Sequence, residues 1–321
     1  MERFLVGIDI GGTKTEVLVV DEQMKPRGQA RSTTVLTTPA DMVKGVVDTA
    51  RAALEQAGVG AEPVVGIGVG VPGQVVPDTG EVRLAVNLGL TSYPLGEVLS
   101  RELAVPVRLE NDVRAAALGA YHHVRAGHPI RSLAYLGIGT GVAAGLILNG
   151  SLYRGAHGMA GEIGHIVMEE DGEVCRCGQR GCLEAILSGP AIARRAVQAG
   201  IPEAEAGLDA LYRKAAGGDP RAQAIVRRVA HALARAIQGL IMTYDVEKVV
   251  LGGGITGVGE PLRNSVCEEL AEMRAQSELA RIMLPDAKLE LLPPGFNPGT
   301  RGAIRIAAEA ASLAMAEGRA S

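Results

Sequence analysis

The hydrophobic pattern of the chain begins with two short β-branched runs on either side of a glycine turn. Residues 4–10 and 15–20 are almost continuously apolar, and Gly11 to Lys14 separate them. Two runs of this length joined by a glycine turn predict a β-hairpin. A stretch with helical spacing follows at residues 39–58 and ends at Gly58. We therefore predict strand, turn, strand and helix at the start of the chain.

Two further apolar runs lead into polar or glycine residues. Residues 64–70 end at Pro72 and Gly73, and residues 105–109 lead to Glu110, Asn111 and Asp112. Open α/β sheets place their ligands at the carboxyl ends of strands, so this edge of the predicted sheet is a candidate site. A helix is expected to follow near residues 113–125.

The strand, glycine and threonine turn, strand pattern recurs later in the chain. Residues 133–141 and 142–148 repeat it about 130 residues after the first copy, which predicts a duplicated half. Residues 189–244 have helical spacing, residues 248–251 form an apolar run, and residues 302–317 are rich in alanine. We expect two α/β domains, residues 1–113 with 303–321 and residues 114–302.

Composition and charge exclude some classes of protein. The 321 residues are 47% hydrophobic and 21% charged, which suits two packed domains. A net charge of −4, with 2% aromatic residues and no Trp, argues against nucleic acid as a partner. The chain has no apolar run of membrane-spanning length and no signal-peptide pattern at its start. We therefore expect a cytoplasmic protein without a membrane partner.

Two glycine turns are candidate phosphate loops. In residues 9–14, Gly11 and Gly12 let the backbone approach a phosphate, Thr13 can donate to it, and Asp9 can hold a hydrated Mg²⁺. Residues 137–141 form a second turn of the same kind. A single turn is also explained by a tight structural hairpin. Two such turns in duplicated halves predict a site for a nucleoside triphosphate.

The pair Asn111 and Asp112 has two interpretations. Asp112 can accept the proton of a hydroxyl group as that group attacks phosphorus, while Asn111 donates to neighbouring hydroxyl groups. An Asn-Asp pair is also a common cap for the helix that follows it. Since one residue can do both, both interpretations stay open.

A cluster of cysteines predicts a zinc site. Three of the four cysteines, Cys175, Cys177 and Cys182, lie within eight residues, and His165 precedes them. Three thiolates and one imidazole complete a tetrahedron, so the zinc site should be structural, without an open position for water. Glu162 and Glu184 flank these ligands, and their carboxylates suit the hydroxyl groups of a sugar.

Together these motifs resemble those of the ROK family, which includes repressors and sugar kinases, and most closely its bacterial glucokinases. The resemblance extends over essentially the whole chain. It is carried by Asp9-x-Gly-Gly-Thr-Lys14, Asn111-Asp112, Glu162-x-Gly-His165, Cys175-x-Cys-Gly-x-x-Gly-Cys-x-Glu184 and Gly252 to Gly254. The cysteine-rich motif is its most specific part.

The resemblance implies an actin-like, hexokinase-like fold of two α/β domains around a cleft, with ATP, Mg²⁺ and structural Zn²⁺ as cofactors. It implies that Asp112 is the catalytic base. The residues implied to bind sugar are Asn87, Asn111, Asp112, Glu162, His165 and Glu184. The residues implied to bind nucleotide are Asp9, Gly11, Gly12, Thr13, Lys14, Gly139, Thr140, Gly141, Gly252, Gly253 and Gly254. The zinc ligands would be His165, Cys175, Cys177 and Cys182.

The chain departs from the family pattern at two places. Ala143 and Ala144 stand where family members usually have glycine, so their methyl groups could crowd the nucleotide. Ala120 stands where a Glu is usual. We expect a glucokinase that forms a homo-oligomer, a dimer or tetramer, with a sugar and ATP as its small-molecule ligands.

Other members of the family define the alternatives. N-acetylmannosamine, N-acetylglucosamine and fructose kinases remain open, as does a sugar sensor without catalysis. A transcription regulator is not expected, because the first predicted strand begins at residue 4 and leaves no room for a preceding helix-turn-helix.

Overall fold

The computed structural model describes residues 2–60 and 63–320, and side chains only as far as Ser312. The chain divides into two compact units. The first consists of Met1–Gly127, Arg154–Met159 and Asn297–Ser321, and the second of His128–Tyr153 and Ala160–Phe296.

The elements are numbered in chain order. The first stretch contains β1 (Phe4–Ile10), β2 (Lys14–Asp21), β3 (Pro26–Thr33), α1 (Pro39–Gln56), β4 (Val64–Val71), β5 (Gln74–Val76), β6 (Glu81–Ala85), β7 (Leu90–Tyr93), α2 (Leu95–Leu103), β8 (Val107–Asn111) and α3 (Asp112–Gly127). The remainder contains β9 (Leu133–Ile138), β10 (Val142–Leu148), β11 (Ser151–Tyr153), α4 (Glu184–Leu187), α5 (Gly189–Gln198), α6 (Leu208–Ala216), α7 (Pro220–Tyr244), β12 (Lys248–Gly252), α8 (Glu260–Gln276), α9 (Glu278–Met283), β13 (Leu289–Leu291) and α10 (Pro298–Ala320).

The main sheet of the first unit has the strand order β3-β2-β1-β4-β8. Strands β1 and β2 are antiparallel, with Ile10 opposite Thr15, which confirms the predicted hairpin. Strand β4 runs parallel to β1, and β8 runs parallel to β4. The carboxyl ends of β1, β4 and β8 therefore meet at one edge of this sheet. Asp9, Gly70 and Asn111 lie at or next to those ends.

The second unit repeats this arrangement with β11-β10-β9-β12-β13. Strands β9, β10 and β11 are antiparallel neighbours, whereas β12 and β13 add in parallel, as β4 and β8 do in the first unit. The predicted duplication is thus confirmed at the level of topology. The predicted helical layer is also present as α5, α6 and α7, whose apolar faces pack on the core of this unit.

Helix α10 lies directly on the first sheet because the strands beneath it carry glycine. A Cβ atom on Gly68 of β4 would stand 1.9 Å from the carbonyl oxygen of Ala303 in α10. A Cβ atom on Gly302 of α10 would likewise stand 1.6 Å from the carbonyl oxygen of Ala115 in α3. Only glycine permits backbones to approach this closely. The alternating glycines of residues 64–70 thus reflect helix packing.

Some boundaries differ from those expected from sequence. Strand β8 includes Glu110 and Asn111, and α10 begins at Pro298, four residues before the predicted start. The predicted domain boundary after residue 113 falls inside α3, which packs against α10 within the first unit. The assignment of separate roles to the two domains stays a prediction.

Among the helices of the described residues, none is both long and apolar enough to cross a membrane.

Candidate functional site

The first glycine turn joins β1 to β2 and is fastened to the end of β3. The amide of Gly11 donates to the carbonyl oxygen of Lys14 at 2.8 Å, and the Thr34 hydroxyl donates to the carbonyl oxygen of Gly11 at 2.7 Å. Thr13 and Lys14 are exposed. The turn is therefore held rigidly while its tip remains accessible to a ligand.

Asp9 lies beside this turn among other charged groups. Burial, together with the carboxylates of Asp112 and Glu16, raises the pKa of Asp9 from its ordinary 3.8 to about 7, while Lys14 opposes the shift. A carboxylate that is destabilised in this way gains from a nearby cation. This electrostatic setting fits the predicted role of Asp9 in holding a hydrated Mg²⁺, although that role stays a prediction.

The sequence analysis missed three residues around Asp9, namely Glu16, Asn297 and Gly299. The Asn297 side-chain amide donates to Glu16 Oε2 at 2.7 Å, and Asn297 Oδ1 accepts the amide of Gly299 at 2.8 Å, at the start of α10. A Cβ atom on Gly299 would stand 2.4 Å from Asp9 Oδ2. Asn297 is distant in sequence from β1, so no local pattern could have indicated it.

Asn111 and Asp112 occupy the junction between β8 and α3. Asn111 Oδ1 accepts the amide of Arg114 at 3.1 Å, and Asp112 Oδ1 accepts the amide of Val113 at 2.9 Å. Asn111 is therefore the N-cap of α3, whereas Asp112 is the first residue of the helix and binds the amide next to it, so the capping interpretation holds for Asn111. The Asn111 amide group also donates to the carbonyl oxygen of Gly73 at 3.1 Å.

The first unit brings several predicted residues together. A Cβ atom on Gly70 would stand 3.5 Å from Asp112 Cα and 3.6 Å from Asp9 Oδ1, so the backbone of the predicted base and the predicted metal carboxylate both lie next to this glycine. A Cβ atom on Gly12 would stand 3.6 Å from Asn87 Cβ. The first glycine turn, Asn87 and the carboxylates thus form one neighbourhood.

The second glycine turn joins β9 to β10 and is fastened by Glu184. The amide of Val142 donates to Glu184 Oε2 at 3.0 Å, and a Cβ atom on Gly141 would stand 2.8 Å from the same oxygen. Gly139 and Thr140 are exposed. One oxygen of Glu184 therefore serves the turn itself, whereas Glu162, the other predicted carboxylate, is exposed to solvent.

The three glycines after β12 have different surroundings. A Cβ atom on Gly252 would overlap the ring of Tyr135, and one on Gly253, whose φ is +81°, would stand 2.3 Å from the carbonyl oxygen of Ile138. Packing against β9 explains these two glycines without a ligand. Around Gly254 there is open space, so packing among the described residues does not account for it.

The four predicted metal ligands come together in the second unit. One ligand atom from each of His165, Cys175, Cys177 and Cys182 lies within 4.8 Å of all the others. His165 Nδ1 is 3.7 Å from Cys175 Sγ, and Cys177 Sγ is 3.6 Å from Cys182 Sγ. Zn–S bonds of about 2.3 Å in a tetrahedron place sulfur atoms about 3.8 Å apart, so these separations fit zinc.

The thiols differ in their acidity. A backbone N–H group at Gln179 lowers the pKa of the exposed Cys177, whereas burial raises the pKa of Cys182 to about 12. Two ion pairs hold the surrounding loop onto the helical layer, Arg195 to Glu173 at 2.5 Å and Arg228 to Glu169. The ligand set is thus carried by a loop with its own anchors.

The departures from the family pattern have local explanations. Ala144 is buried in the core of the second unit, whereas Ala143 lies on the opposite face of β10 and is partly exposed. Of the two added methyl groups, only that of Ala143 can meet a ligand. Ala120 is fully buried within α3.

Comparisons with known proteins agree with this fold and these motifs. A family model described as the ROK family matches residues 5–309. A glucokinase of Thermotoga maritima is 36% identical over 283 residues, which cover 82% of this chain and 87% of that protein. An N-acetylmannosamine kinase of Citrobacter koseri is 34% identical over 285 residues, which cover 86% and 91% of the two chains.

A solved structure of a ROK family protein is also similar to this chain. The crystal structure of a ROK family glucokinase from Streptomyces griseus, in complex with glucose and AMPPNP, matches with a TM-score of 0.80 and 29% identity. The match covers 95% of this chain and 99% of that one. The duplicated strand order and these matches define an actin-like ATPase fold. The chain belongs to the ROK family.

Proposed function

We propose that this protein is an ATP-dependent hexokinase whose preferred substrate is glucose and whose products are glucose 6-phosphate and ADP. The observation that carries the proposal is the position of Asp112 beside Asp9 and the first glycine turn. Asp112 Cα and the Asp9 carboxylate both lie next to Gly70, and the charge of Asp112 raises the pKa of Asp9. A base and a metal-binding carboxylate next to a phosphate loop are the parts that phosphoryl transfer requires. The similarity to glucokinases over most of the chain supports the choice of sugar.

In this proposal, Asp112 accepts the proton of the sugar 6-hydroxyl as its oxygen attacks the γ-phosphorus of ATP. A bond from that oxygen to phosphorus forms, the bond from phosphorus to the β,γ-bridging oxygen breaks, and ADP leaves. Asp9 would hold the Mg²⁺, whose charge neutralises the phosphate oxygens when it is bound. The exposed Thr13 and Lys14 would bind phosphate oxygens.

We assign the remaining predicted residues to ligands within each unit. In the first unit, Asn87 and Asn111 would bind hydroxyl groups of the sugar beside Asp112. In the second unit, we assign sugar hydroxyl groups to Glu162, His165 and Glu184. The nucleotide is assigned to the turn at Gly139, Thr140 and Gly141 and to Gly252, Gly253 and Gly254, among which the open surroundings of Gly254 offer the clearest support.

The zinc site is proposed to be structural. His165 Nδ1 and the three thiolates would fill a tetrahedron and leave no position for a catalytic water molecule. Because His165 uses Nδ1 toward the cysteines, its Nε2 would be left for a sugar hydroxyl group. The zinc would thereby orient the His165 ring.

A substrate panel tests the proposed function. With ATP and Mg²⁺, glucose should give a higher kcat/KM than mannose, fructose, N-acetylmannosamine or N-acetylglucosamine. The physical reason is that a site built to hydrogen-bond a hydroxyl group penalises its loss or inversion strongly. Mass spectrometry and coupled oxidation by glucose 6-phosphate dehydrogenase would identify the product.

The alternatives are distinct outcomes of the same panel. Turnover of N-acetylmannosamine about tenfold faster than glucose would move the assignment to the class of the Citrobacter koseri relative and leave the kinase assignment intact. Binding of hexoses without turnover of any of them would favour a sugar sensor. A homo-oligomeric state, the absence of a nucleic-acid partner and a cytoplasmic location stay predictions from the sequence.

A further inference from the structure

A buried cluster of charges adjoins the Asn111 and Asp112 pair. The Glu110 side chain is 1% exposed, and its two oxygens bind different arginines. Glu110 Oε1 accepts Arg114 Nε at 2.7 Å, and Oε2 accepts Arg154 Nε at 2.7 Å. The Arg114 side chain is 5% exposed and that of Arg154 is 36% exposed. One carboxylate therefore faces two guanidinium groups, here called the Glu110 cluster.

The cluster makes direct contact with the backbone that carries the predicted base. Glu110 Oε1 also accepts the backbone amide of Asn111 at 2.8 Å. Arg114 donates its own backbone amide to Asn111 Oδ1, as described above. The cluster thus holds the residue immediately before Asp112 through both its main chain and its side chain.

The same cluster fixes a distant segment of chain. Arg114 Nη1 donates to the carbonyl oxygen of Gly158 at 2.7 Å, and Arg154 itself belongs to the segment Arg154–Met159. This segment is assigned to the first unit, whereas its chain neighbours on both sides belong to the second. Two bonds from one cluster, at its first residue and near its last, hold it in place.

Stability alone gives a poor account of the Glu110 cluster. Burying charges costs solvation free energy, and apolar residues of similar volume often stabilise a core as well or better. The cluster holds one guanidinium more than carboxylates, and Arg114 Nη2 is buried with no hydrogen-bond partner among the described residues. An arrangement with these costs is better explained by the geometry that it enforces.

We propose that Arg154 is a positioning residue, which acts through Glu110 to hold Asn111, Asp112 and the segment Arg154–Met159 in the arrangement needed for phosphoryl transfer. The inference rests on the proposed role of Asp112 as the base. Small displacements of a catalytic group lower rates strongly, so the effect should be visible in kcat.

The test compares Arg154→Met with a matched control, Arg27→Met. Arg27 lies on β3 in the same unit, its side chain is 40% exposed, and it binds Glu2 at 2.6 Å and the buried Asp21 at 3.5 Å. Both changes remove one half-exposed guanidinium from a carboxylate. Arg154→Met leaves Glu110 bound to Arg114, so the fold should persist. Arg154→Lys is a second variant that keeps the charge.

We expect Arg154→Met to lower kcat at least about tenfold, Arg154→Lys to lie between it and the wild type, and Arg27→Met to stay within about twofold. The two methionine variants should lose similar amounts of thermal stability. Hydrogen exchange measured by mass spectrometry should speed up in peptides covering residues 110–114 and 154–159 in Arg154→Met, and in neither peptide in Arg27→Met.

The proposal is overturned if Arg154→Met keeps kcat within about twofold of the wild type, or if Arg27→Met loses as much activity. If Arg154→Met does not fold, Arg154→Lys decides, since unchanged kcat and exchange in that variant would also contradict it. The assay uses whichever hexose the wild type phosphorylates fastest, so an error in the choice of glucose leaves the test intact. If the wild type phosphorylates no hexose, the proposed function fails and hydrogen exchange alone decides the role of Arg154.

Discussion

Replacing Asp9 by Asn should make the protein more stable at alkaline pH while it loses activity. Burial and the carboxylates of Asp112 and Glu16 raise the pKa of Asp9 from 3.8 to about 7. Asn has the shape of Asp but carries no charge, so it fits the tight space against Gly299. The ionised Asp9 is therefore a cost to the folded protein that its neutral analogue does not carry.

The sign and size of this cost follow from proton linkage. Below about pH 3 the carboxyl group is protonated in both states, and Asp9 does not alter the free energy of unfolding. As pH rises from about 4 to about 7 the unfolded chain loses the proton first, so the free energy of unfolding falls, and above that range the loss is complete. A shift of this size corresponds to about 4 kcal/mol, and partial exposure of Asp9 reduces the expected value to about 2–4 kcal/mol.

The assay is thermal unfolding with EDTA, in the absence of nucleotide. At pH 8, Asp9→Asn should unfold about 4–10 °C above the wild type, and the difference should be small near pH 4 and vanish near pH 3. Addition of Mg²⁺ and ATP should raise the midpoint of the wild type and leave the variant nearly unchanged, because ligand binding stabilises only a protein that binds. The kcat/KM of the variant should fall at least about 100-fold.

A lower or equal midpoint for Asp9→Asn at pH 8 would refute this reasoning. It would mean that the ionised carboxylate is stabilised in the folded protein, for instance by Lys14 and Asn297, more than burial and its neighbours destabilise it. Asp112→Asn would show which neighbour matters, because removing that charge should relieve part of the cost.

Three further changes test the site and the fold. Asp112→Asn should lower kcat about 10²–10⁴-fold in steady-state assays while calorimetry shows sugar affinity within several-fold, and near-normal kcat would leave Asp112 as a cap only. Protein purified without added metal should hold about one zinc per chain by elemental analysis. Cys177→Ser should lower both the thermal stability and the affinity for sugar. The control variant Cys267→Ser, in α8 outside the zinc cluster, should lower neither. Less than about 0.2 zinc per chain in active protein would contradict the site. Gly68→Ala would place a methyl group 1.9 Å from a backbone oxygen of α10. It should lower the free energy of unfolding, measured by denaturant titration, by about 1–3 kcal/mol. Gly239→Ala, whose methyl group would stand in open space on α7, should leave the stability unchanged or raise it.

The convergence of the four zinc ligands could be predicted from their spacing in the sequence alone. His165, Cys175, Cys177 and Cys182 lie within one short segment, and Gly178 and Gly181 adopt positive φ values of 93° and 71° that allow its tight turns. Because the ligands are close in sequence, their convergence depends on few torsion angles. The prediction that they meet in space was therefore confirmed, while the identity of the metal stays a proposal.

The Glu110 cluster, in contrast, could not be predicted from the sequence. Arg154 lies 44 positions after Glu110, and nothing near either residue indicates the other. Asn297 and Glu16 are separated by 281 positions and were missed for the same reason. Side chains that meet through the path of the whole chain leave no trace in a local pattern. The same limit explains why the alternating glycines of β4 were interpreted only as a buried strand.

The sequence by itself determined the elements, the duplication and the family motifs of this protein, because hydrophobic periodicity, turn residues and ligand spacing act over a few residues at a time. Only the tertiary structure decided which glycines admit α10, where the two units divide, and which buried charges hold Asn111 in place. Those features depend on close approach between segments distant in the chain. The packing energy of such contacts depends on how the segments fit together in the folded core, so no single segment determines it.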